Sequence, residues 1–276
     1  MKTYAFIFAF AAAFASYGQD RRQIPGYTLV WADEFDQDGP LNPDDWGFEQ
    51  GFVRNNEHQW YQPENAWVEN GMLVIEARKE RKPNPNYEAS SSDWRKAREF
   101  IEYTSASVNT RGKRAWQYGR IEVRAKIVAS EGLWPAIWTL GVEGEWPSNG
   151  EVDIMEYYKD GILANFAWGT KKRFAAKWDS FHKPMAAFKD KDWDDRFHTW
   201  VLEWDEDEMA IYLDGSLLNN VDLNTTFNEG DGKNPFRQPH YLLLNLAIGG
   251  NNGGNPEKAK YPSRYLIDYV RVYRKD

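Results

Sequence analysis

The chain of 276 residues contains no cysteine, which excludes disulfide bonds, a thiolate metal site and a lipid-anchoring cysteine behind a leader. Basic residues are also relatively few: the chain has 34 lysines and arginines and 42 acidic residues, which gives a formal net charge of −8. A nucleic-acid partner needs a basic footprint, so none is expected. Histidine is scarce, and its four residues form no metal-ligand spacing: His58, His182, His198 and His240.

Long apolar runs are missing too, with one exception at the beginning of the chain. Tyr4 to Phe14 is an uninterrupted apolar run that follows Lys2 and ends in the small-residue pattern Ala13-Phe14-Ala15. The run is too short to cross a membrane and is typical of a cleavable signal peptide, although a buried N-terminal helix would look similar. We therefore predict a signal peptide over residues 1–18, a single domain over 19–276, no membrane insertion and a secreted or periplasmic location.

Aromatic residues, in contrast, are abundant, with 14 Trp, 15 Tyr and 15 Phe. Some must fill a core, but sugar-binding clefts also use exposed rings, because the apolar face of a pyranose packs on an aromatic plane. Short alternating strands without a sustained helical period predict an all-β sandwich of two antiparallel sheets. Residues 66–78 predict a hairpin with Asn70-Gly71 as its type I′ turn. Residues 79–100 look like an excursion with one or two helical turns, to which we assign no chemistry.

Three acidic residues, Glu151, Asp153 and Glu156, are interleaved with apolar ones in one stretch. Residues i and i+2 of a strand share a face, so a regular strand would turn Glu156 away from the other two. One extra residue held as a β-bulge returns Glu156 to the acidic face. The two glutamates would then lie roughly 13 Å apart between Cα atoms, and their carboxyl groups could close to the ~5–5.5 Å of a retaining glycosidase. Crowded carboxylates repel each other, so at least one pKa should rise.

The flanks of this stretch favour a cleft over an ordinary half-solvated strand, which would give the same alternation. Large aromatic residues, which are not expected on a solvent-exposed strand face, lie on both sides of the acids in the sequence: Trp134, Trp138, Trp146, Tyr157 and Tyr158. The stretch GEVDIMEYY resembles the E-x-D-x-x-E signature of glycoside hydrolase family 16, in the bulged form of its laminarinase-like and agarase-like members. Further stretches resemble the family in the expected order: WADEFD (31–36), NNEHQWY (55–61), YGRIEVRAK (118–126), LWPAIWTLG (133–141), LLNLAIGG (243–250) and IDYVRVY (267–273).

The resemblance implies a jelly-roll sandwich with a concave cleft and an endo-acting, retaining β-glucanase for β-1,3 or mixed-linkage β-1,3/1,4 chains. It puts the nucleophile at Glu151 and the acid/base at Glu156, with Asp153 hydrogen-bonded to the nucleophile. It also implies a set of sugar contacts, each of which has a purely structural alternative. These are hydroxyl-binding residues and stacking or cleft-floor tryptophans: Asn56, Arg120, Trp134, Trp138, Trp146 and Trp168.

Other interpretations remain open. Laminarinase-like members usually show a histidine after the motif, before an aromatic-Gly pair, where this chain has Ala167, which speaks against a plain laminarinase. The alternatives are an agarase-type hydrolase of red-algal galactan, which shares the bulged motif, a transglycosylase, and a non-catalytic carbohydrate-binding sandwich. Catalysis should need no cofactor, but the resemblance implies a structural calcium at Glu34, Gly71 and Asp268, the last of which could equally form a surface ion pair. The expected partner is a β-glucan polysaccharide, and the expected state is a monomer.

Overall fold

The computed structural model describes residues 23–276, so the predicted signal peptide lies outside the described residues. The described chain forms strands β1 (Tyr27–Asp33), β2 (Gly47–Phe48), β3 (Gln59–Tyr61), β4 (Ala66–Val68), β5 (Leu73–Pro83), β6 (Phe100–Ser105), β7 (Ser107–Asn109), β8 (Gly119–Lys126), β9 (Leu133–Gly141), β10 (Glu151–Tyr158), β11 (Gly161–Gly169), β12 (Ala176–Pro184), β13 (His198–Trp204), β14 (Glu208–Leu213), β15 (Ser216–Asp222), β16 (His240–Ile248) and β17 (Ser263–Lys275). Short helices lie between them: α1 (Trp94–Ala97), α2 (Gly250–Gly253) and the 3-10 turns Pro63–Asn65, Met185–Ala187, Trp193–Asp195, Leu223–Thr225 and Pro256–Lys258.

The strands form two sheets. The first has the order β15-β14-β13-β8-β17-β5-β6-β3, with β1 paired to β17 and β4 paired to β5. The second has the order β12-β11-β10-β9-β16-β7-β2. Neighbouring strands are antiparallel except β3 and β6, which run parallel. The predicted all-β jelly-roll sandwich is confirmed, with this one parallel pair as an addition.

The core lies between the two sheets, because alternate residues of their strands are apolar and point inward. Val123 in the first sheet and Val152, Ile154 and Phe166 in the second are fully buried members of one continuous cluster. The outward face of the second sheet forms the floor of a cleft. The sandwich therefore holds β10 rigidly from behind and leaves its other face open to a ligand.

Turn chemistry sets the register of the hairpins. Asn70 and Gly71 both have positive φ, 55° and 72°, and join β4 to β5, so the predicted type I′ turn is confirmed. The excursion after β5 contains the single helical turn α1, within the predicted one or two. In the part of the chain that the structure describes, no helix has both the length and the apolar character needed to cross a membrane.

Candidate active site

An irregularity in β10 gathers the acidic residues on one face of the sheet. Asp153 pairs with Asn165 of β11 and Glu156 pairs with Leu163, so β10 advances three residues while β11 advances two. The extra residue is absorbed at Ile154 and Met155, whose side chains are both fully buried. This is the predicted β-bulge, and it turns Glu156 into the same cleft as Glu151 and Asp153.

The cleft has a volume of about 920 Å³ and extends well beyond the three acids. Its floor is built from β9, β10 and β11, and its ends from loops and the edge strand β12. Besides the acids it is lined by Val53, Arg54, Asn55, Glu57, Arg95, Trp134, Ala136, Trp138, Leu140, Trp146, Tyr158, Leu163, Asn165, Phe174, Trp178, Ser180, Asn245 and Asn252. Mixed aromatic and polar walls of this kind suit a sugar, which offers apolar ring faces and hydroxyl edges.

Two tryptophans donate hydrogen bonds to the two glutamates. Trp146 Nε1 donates to Glu151 Oε2, and Trp134 Nε1 donates to Glu156 Oε1 at 2.8 Å. Burial raises the pKa of Glu151, whereas the Trp146 bond, a bond from Asp153 and the charge of Arg54 act to lower it. Both indoles are thus fixed by their polar edges, which orients the carboxyl groups as well as the rings.

The surroundings of the other two acids, Asp153 and Glu156, favour their protonated forms. Burial raises the pKa of Glu156 to about 7, and the negative charge of Glu151 contributes in the same direction. Burial, followed by the charges of Glu156 and Glu151, raises the pKa of Asp153 well above its usual range. Asn165 Nδ2 bridges Asp153 Oδ2 and Glu156 Oε2 at 3.2 and 3.1 Å. A carboxyl group with a pKa near 7 can both donate and accept a proton at neutral pH.

Trp138 packs into the cleft floor. Its Nε1 donates to Asn245 Oδ1 at 2.7 Å, and the Arg54 guanidinium lies 5.0 Å from its ring centroid. Arg54 is in turn paired with Glu49. The Trp138 side chain is only 8% exposed, so Trp138 supports the floor and does not present a free sugar platform.

Two residues predicted to contact sugar lie elsewhere. Arg120 belongs to β8 of the opposite sheet, where its guanidinium bonds Glu122 at 2.7 Å and Glu203 at 2.6 Å on the outer face. Trp168 points into the core and packs edge-on against Phe236, with ring centroids 6.4 Å apart. Both assignments are wrong, because sheet membership and strand parity turn these side chains away from the cleft.

The loop before β3 requires a correction by one residue. Asn56 donates to Asn251 Oδ1 at 3.1 Å and does not line the cleft, whereas its neighbour Asn55 does. Both asparagines have left-handed backbones, with φ of 56° and 52°, so the alternation of an extended chain does not apply there. Arg95 of α1 also lines the cleft, so the excursion contributes a side chain to the site.

The predicted calcium positions are neighbours in the fold but do not form an acidic cluster. Asp268 lies at a register shift in β17, between the segments of β17 that pair with β5 and with β1. Its carboxylate bonds Arg124 at 2.5 Å, while Glu34 makes a two-point contact with Arg271 at 2.8 and 2.9 Å. Gly71 lies in the β4–β5 turn. Among the described residues no group of three or more histidines or acids could hold a metal. The Asp268 carboxylate, the one side-chain ligand of the predicted set, is paired with Arg124, and the other predicted ligands are backbone carbonyls, so the calcium stays a prediction.

A sandwich that presents paired carboxyl groups in an aromatic cleft, one with a pKa near 7, has the site of an enzyme that breaks glycosidic bonds. Comparison with known proteins gives the family. The family model for glycosyl hydrolases family 16 matches residues 54–271. The chain belongs to glycoside hydrolase family 16 and is a glycoside hydrolase.

Individual relatives cover nearly the whole chain. A β-glucanase from Rhodothermus marinus is 35% identical over 99% of this chain and 95% of its own. A solved structure from a study of endo-acting O-glycanases with which human gut bacteria initiate mucin breakdown is 37% identical, with a TM-score of 0.82 over 92% of this chain and 94% of that one. The laminarinase catalytic domain of Thermotoga maritima is 36% identical, with a TM-score of 0.75 over 91% and 99%. Three other relatives are longer, and the chain spans 38%, 34% and 49% of their length.

Proposed function

We propose that this enzyme is an endo-acting, retaining hydrolase that cuts internal β-linkages of a glucan by double displacement. Glu151 is the nucleophile, Glu156 is the general acid and then the general base, and Asp153 is the hydrogen-bond donor to Glu151. The observation that carries the proposal is the bulge in β10, because it brings both glutamates to one cleft. The difference between their surroundings supports the division of roles, since Glu156 has a pKa of about 7.

The reaction has two steps in which Glu156 changes its task. In the first, the Glu151 carboxylate bonds to the anomeric carbon while Glu156 gives its proton to the departing glycosidic oxygen. In the second, the Glu156 carboxylate takes a proton from water, and the water oxygen replaces Glu151 at the same carbon. Two inversions leave the anomeric configuration as it was, and no cofactor is needed.

The substrate we propose is a β-1,3-glucan or a mixed-linkage β-1,3/1,4-glucan. Support comes from the likeness to the Rhodothermus β-glucanase and the Thermotoga laminarinase. A cleft that continues past the acids on both sides suits an internal cut in a long chain. We further propose that the enzyme acts outside the cytoplasm, on the strength of the apolar leader in the sequence.

A second candidate substrate is a glycan of the mucin O-linked type. The observation that favours it is the TM-score of 0.82 with the structure from the O-glycanase study, against 0.75 with the laminarinase. The chain also has Ala167 where laminarinase-like members usually show histidine. An agarase-type activity on galactan is a third possibility within the same family.

One experiment separates these substrates and tests the mechanism. Reducing-end release would be measured on laminarin, mixed-linkage glucan, mucin O-glycans and agarose, and the anomeric form of the first product would be followed by proton NMR. We expect release from a β-glucan with the β-anomer formed first. Glu151→Ala and Glu156→Gln should abolish release, whereas the exposed control Glu206→Gln should not. An α-anomer as first product, or turnover by either cleft variant, would refute the mechanism.

A further inference from the structure

Two large aromatic side chains are exposed inside the cleft, away from the acids. Among the described residues only seven large hydrophobic side chains are exposed, and two of these, Phe174 at 57% and Trp178 at 46%, line the cleft. Trp134 and Trp138 are almost completely buried at 7% and 8%. Apolar rings left in water beside an active site indicate a surface that is covered when a ligand binds.

The strand register locates Trp178 relative to the nucleophile. Ala167 of β11 pairs with Glu151 on one side and with Trp178 on the other. The three residues therefore form one row across the sheet, and Trp178 lies two strand spacings, roughly 10 Å, from Glu151. The three acids and Trp178 line the same cleft. The cleft thus extends from the acids to the exposed ring on the edge strand.

The loop that carries Phe174 is fixed to the same wall of the cleft. Arg173 makes a two-point ion pair with Glu145, at 2.7 Å for each bond, and its guanidinium lies 4.6 Å from the Phe174 ring centroid. Glu145 directly precedes Trp146, which bonds the nucleophile. Phe174 has a φ of 60°, an unusual conformation for a bulky residue.

We propose that Trp178 and Phe174 form an additional sugar-binding subsite, in which each ring stacks on the apolar face of a pyranose beyond the sugar that reacts. The occupant is a further residue of the same polysaccharide chain, because the subsite is continuous with the catalytic cleft. This inference rests on the proposed function, and it identifies a place where the enzyme binds a more distant part of a long substrate. It makes the two rings determinants of substrate length and of the position of the cut.

The test compares Trp178→Ala and Phe174→Ala with Phe227→Ala, an exposed phenylalanine at 42% that lies outside the cleft. The substrates are end-labelled oligosaccharides, of increasing length, of the glycan that the wild type hydrolyses. We expect kcat/KM to fall about tenfold for each cleft variant on the longest oligosaccharides and to change little on the shortest, with a shifted cut position. Trp178→Tyr keeps an aromatic face and should retain most of the wild-type preference. Phe227→Ala should match the wild type throughout.

Direct binding separates failure of the subsite from failure of the proposed function. In an inactive Glu151→Ala background, retardation in native gels that contain laminarin, mixed-linkage glucan, intact mucin or agarose should drop on addition of Trp178→Ala but not of Phe227→Ala. If the wild type hydrolyses a glycan and the ring variants keep its length dependence, or lose rate equally at all lengths, the subsite is refuted. If the wild type hydrolyses none of the glycans, the proposed function fails. In that case the subsite is judged from the gels alone. If Trp178→Ala does not reduce retardation by any of the glycans, the subsite is refuted.

Discussion

Replacing Glu156, the proposed general acid, should make the protein more stable as well as inactive. Burial raises the pKa of Glu156 from 4.5 to about 7, so the folded protein binds a proton there more tightly than the unfolded chain does. Below pH 4.5 Glu156 is protonated in both the folded and the unfolded protein, so it does not reduce the free energy of unfolding. As pH rises from 4.5 through 7, the folded state progressively bears the cost of a buried charge, and stability falls. A shift of 2.5 pH units corresponds to about 3 kcal/mol above pH 7.

Glu156→Gln removes this titration and keeps an oxygen to accept the 2.8 Å bond from Trp134. The variant and the wild type should therefore have similar Tm values near pH 4.5, and the variant should melt roughly 6–12 °C higher at pH 8. Thermal unfolding followed by circular dichroism across this range measures the difference. For the exposed control Glu206→Gln, the Tm difference from the wild type should not grow with pH. A variant that is equally stable or less stable at pH 8 would refute the assignment of the raised pKa to Glu156.

Three other substitutions test the hydrogen bonds and charges around the acids. Trp134→Phe removes a donor that lowers the pKa of Glu156, so the alkaline limb of the kcat/KM profile should move to higher pH by up to ~1 unit. Trp146→Phe removes the corresponding donor to Glu151, which must be ionised, so the acidic limb should also move to higher pH and the active range should narrow. Arg54→Met leaves the partly buried Glu49 carboxylate without its cation and should lower the free energy of unfolding by about 1–3 kcal/mol, measured by urea unfolding.

The bulge could be predicted from the sequence because a regular strand would turn Glu156 away from the other two acids. Acids at Glu151 and Asp153 share a face, and a third acid three residues after Asp153 makes sense on that face only if one residue is extra. The fold class followed from the same alternation repeated along the chain. Both predictions rest on local patterns, which the final structure preserves because side chains on a strand cannot change face without a bulge or a shift of register.

The errors arose where position depends on pairing between distant segments. Trp168 was placed in the cleft by the family resemblance. Because Ala167 pairs with Glu151 and shares its face of the sheet, Trp168, the next residue along β11, must face the core. In the structure, Lys159 and Asp160 have positive φ values of 50° and 54° and form the two-residue turn that fixes the register of β10 and β11. Counting back from that turn through the bulge would also have put Asn165 opposite Asp153. Arg120 had no comparable signal, because no local pattern states to which sheet a strand belongs.

The same geometry explains how three carboxyl groups can share a buried site. In the proposed mechanism Glu151 is ionised while Asp153 and Glu156 carry protons, the forms that the raised pKa values of these two residues favour. The bond from Glu151 to sugar would then remove one negative charge in the same step in which Glu156 becomes a carboxylate. The trio would therefore keep a single negative charge through that step. Since the charge of Glu151 contributes to the raised pKa of Glu156, its loss lowers that pKa and makes the proton departure favourable when it is required.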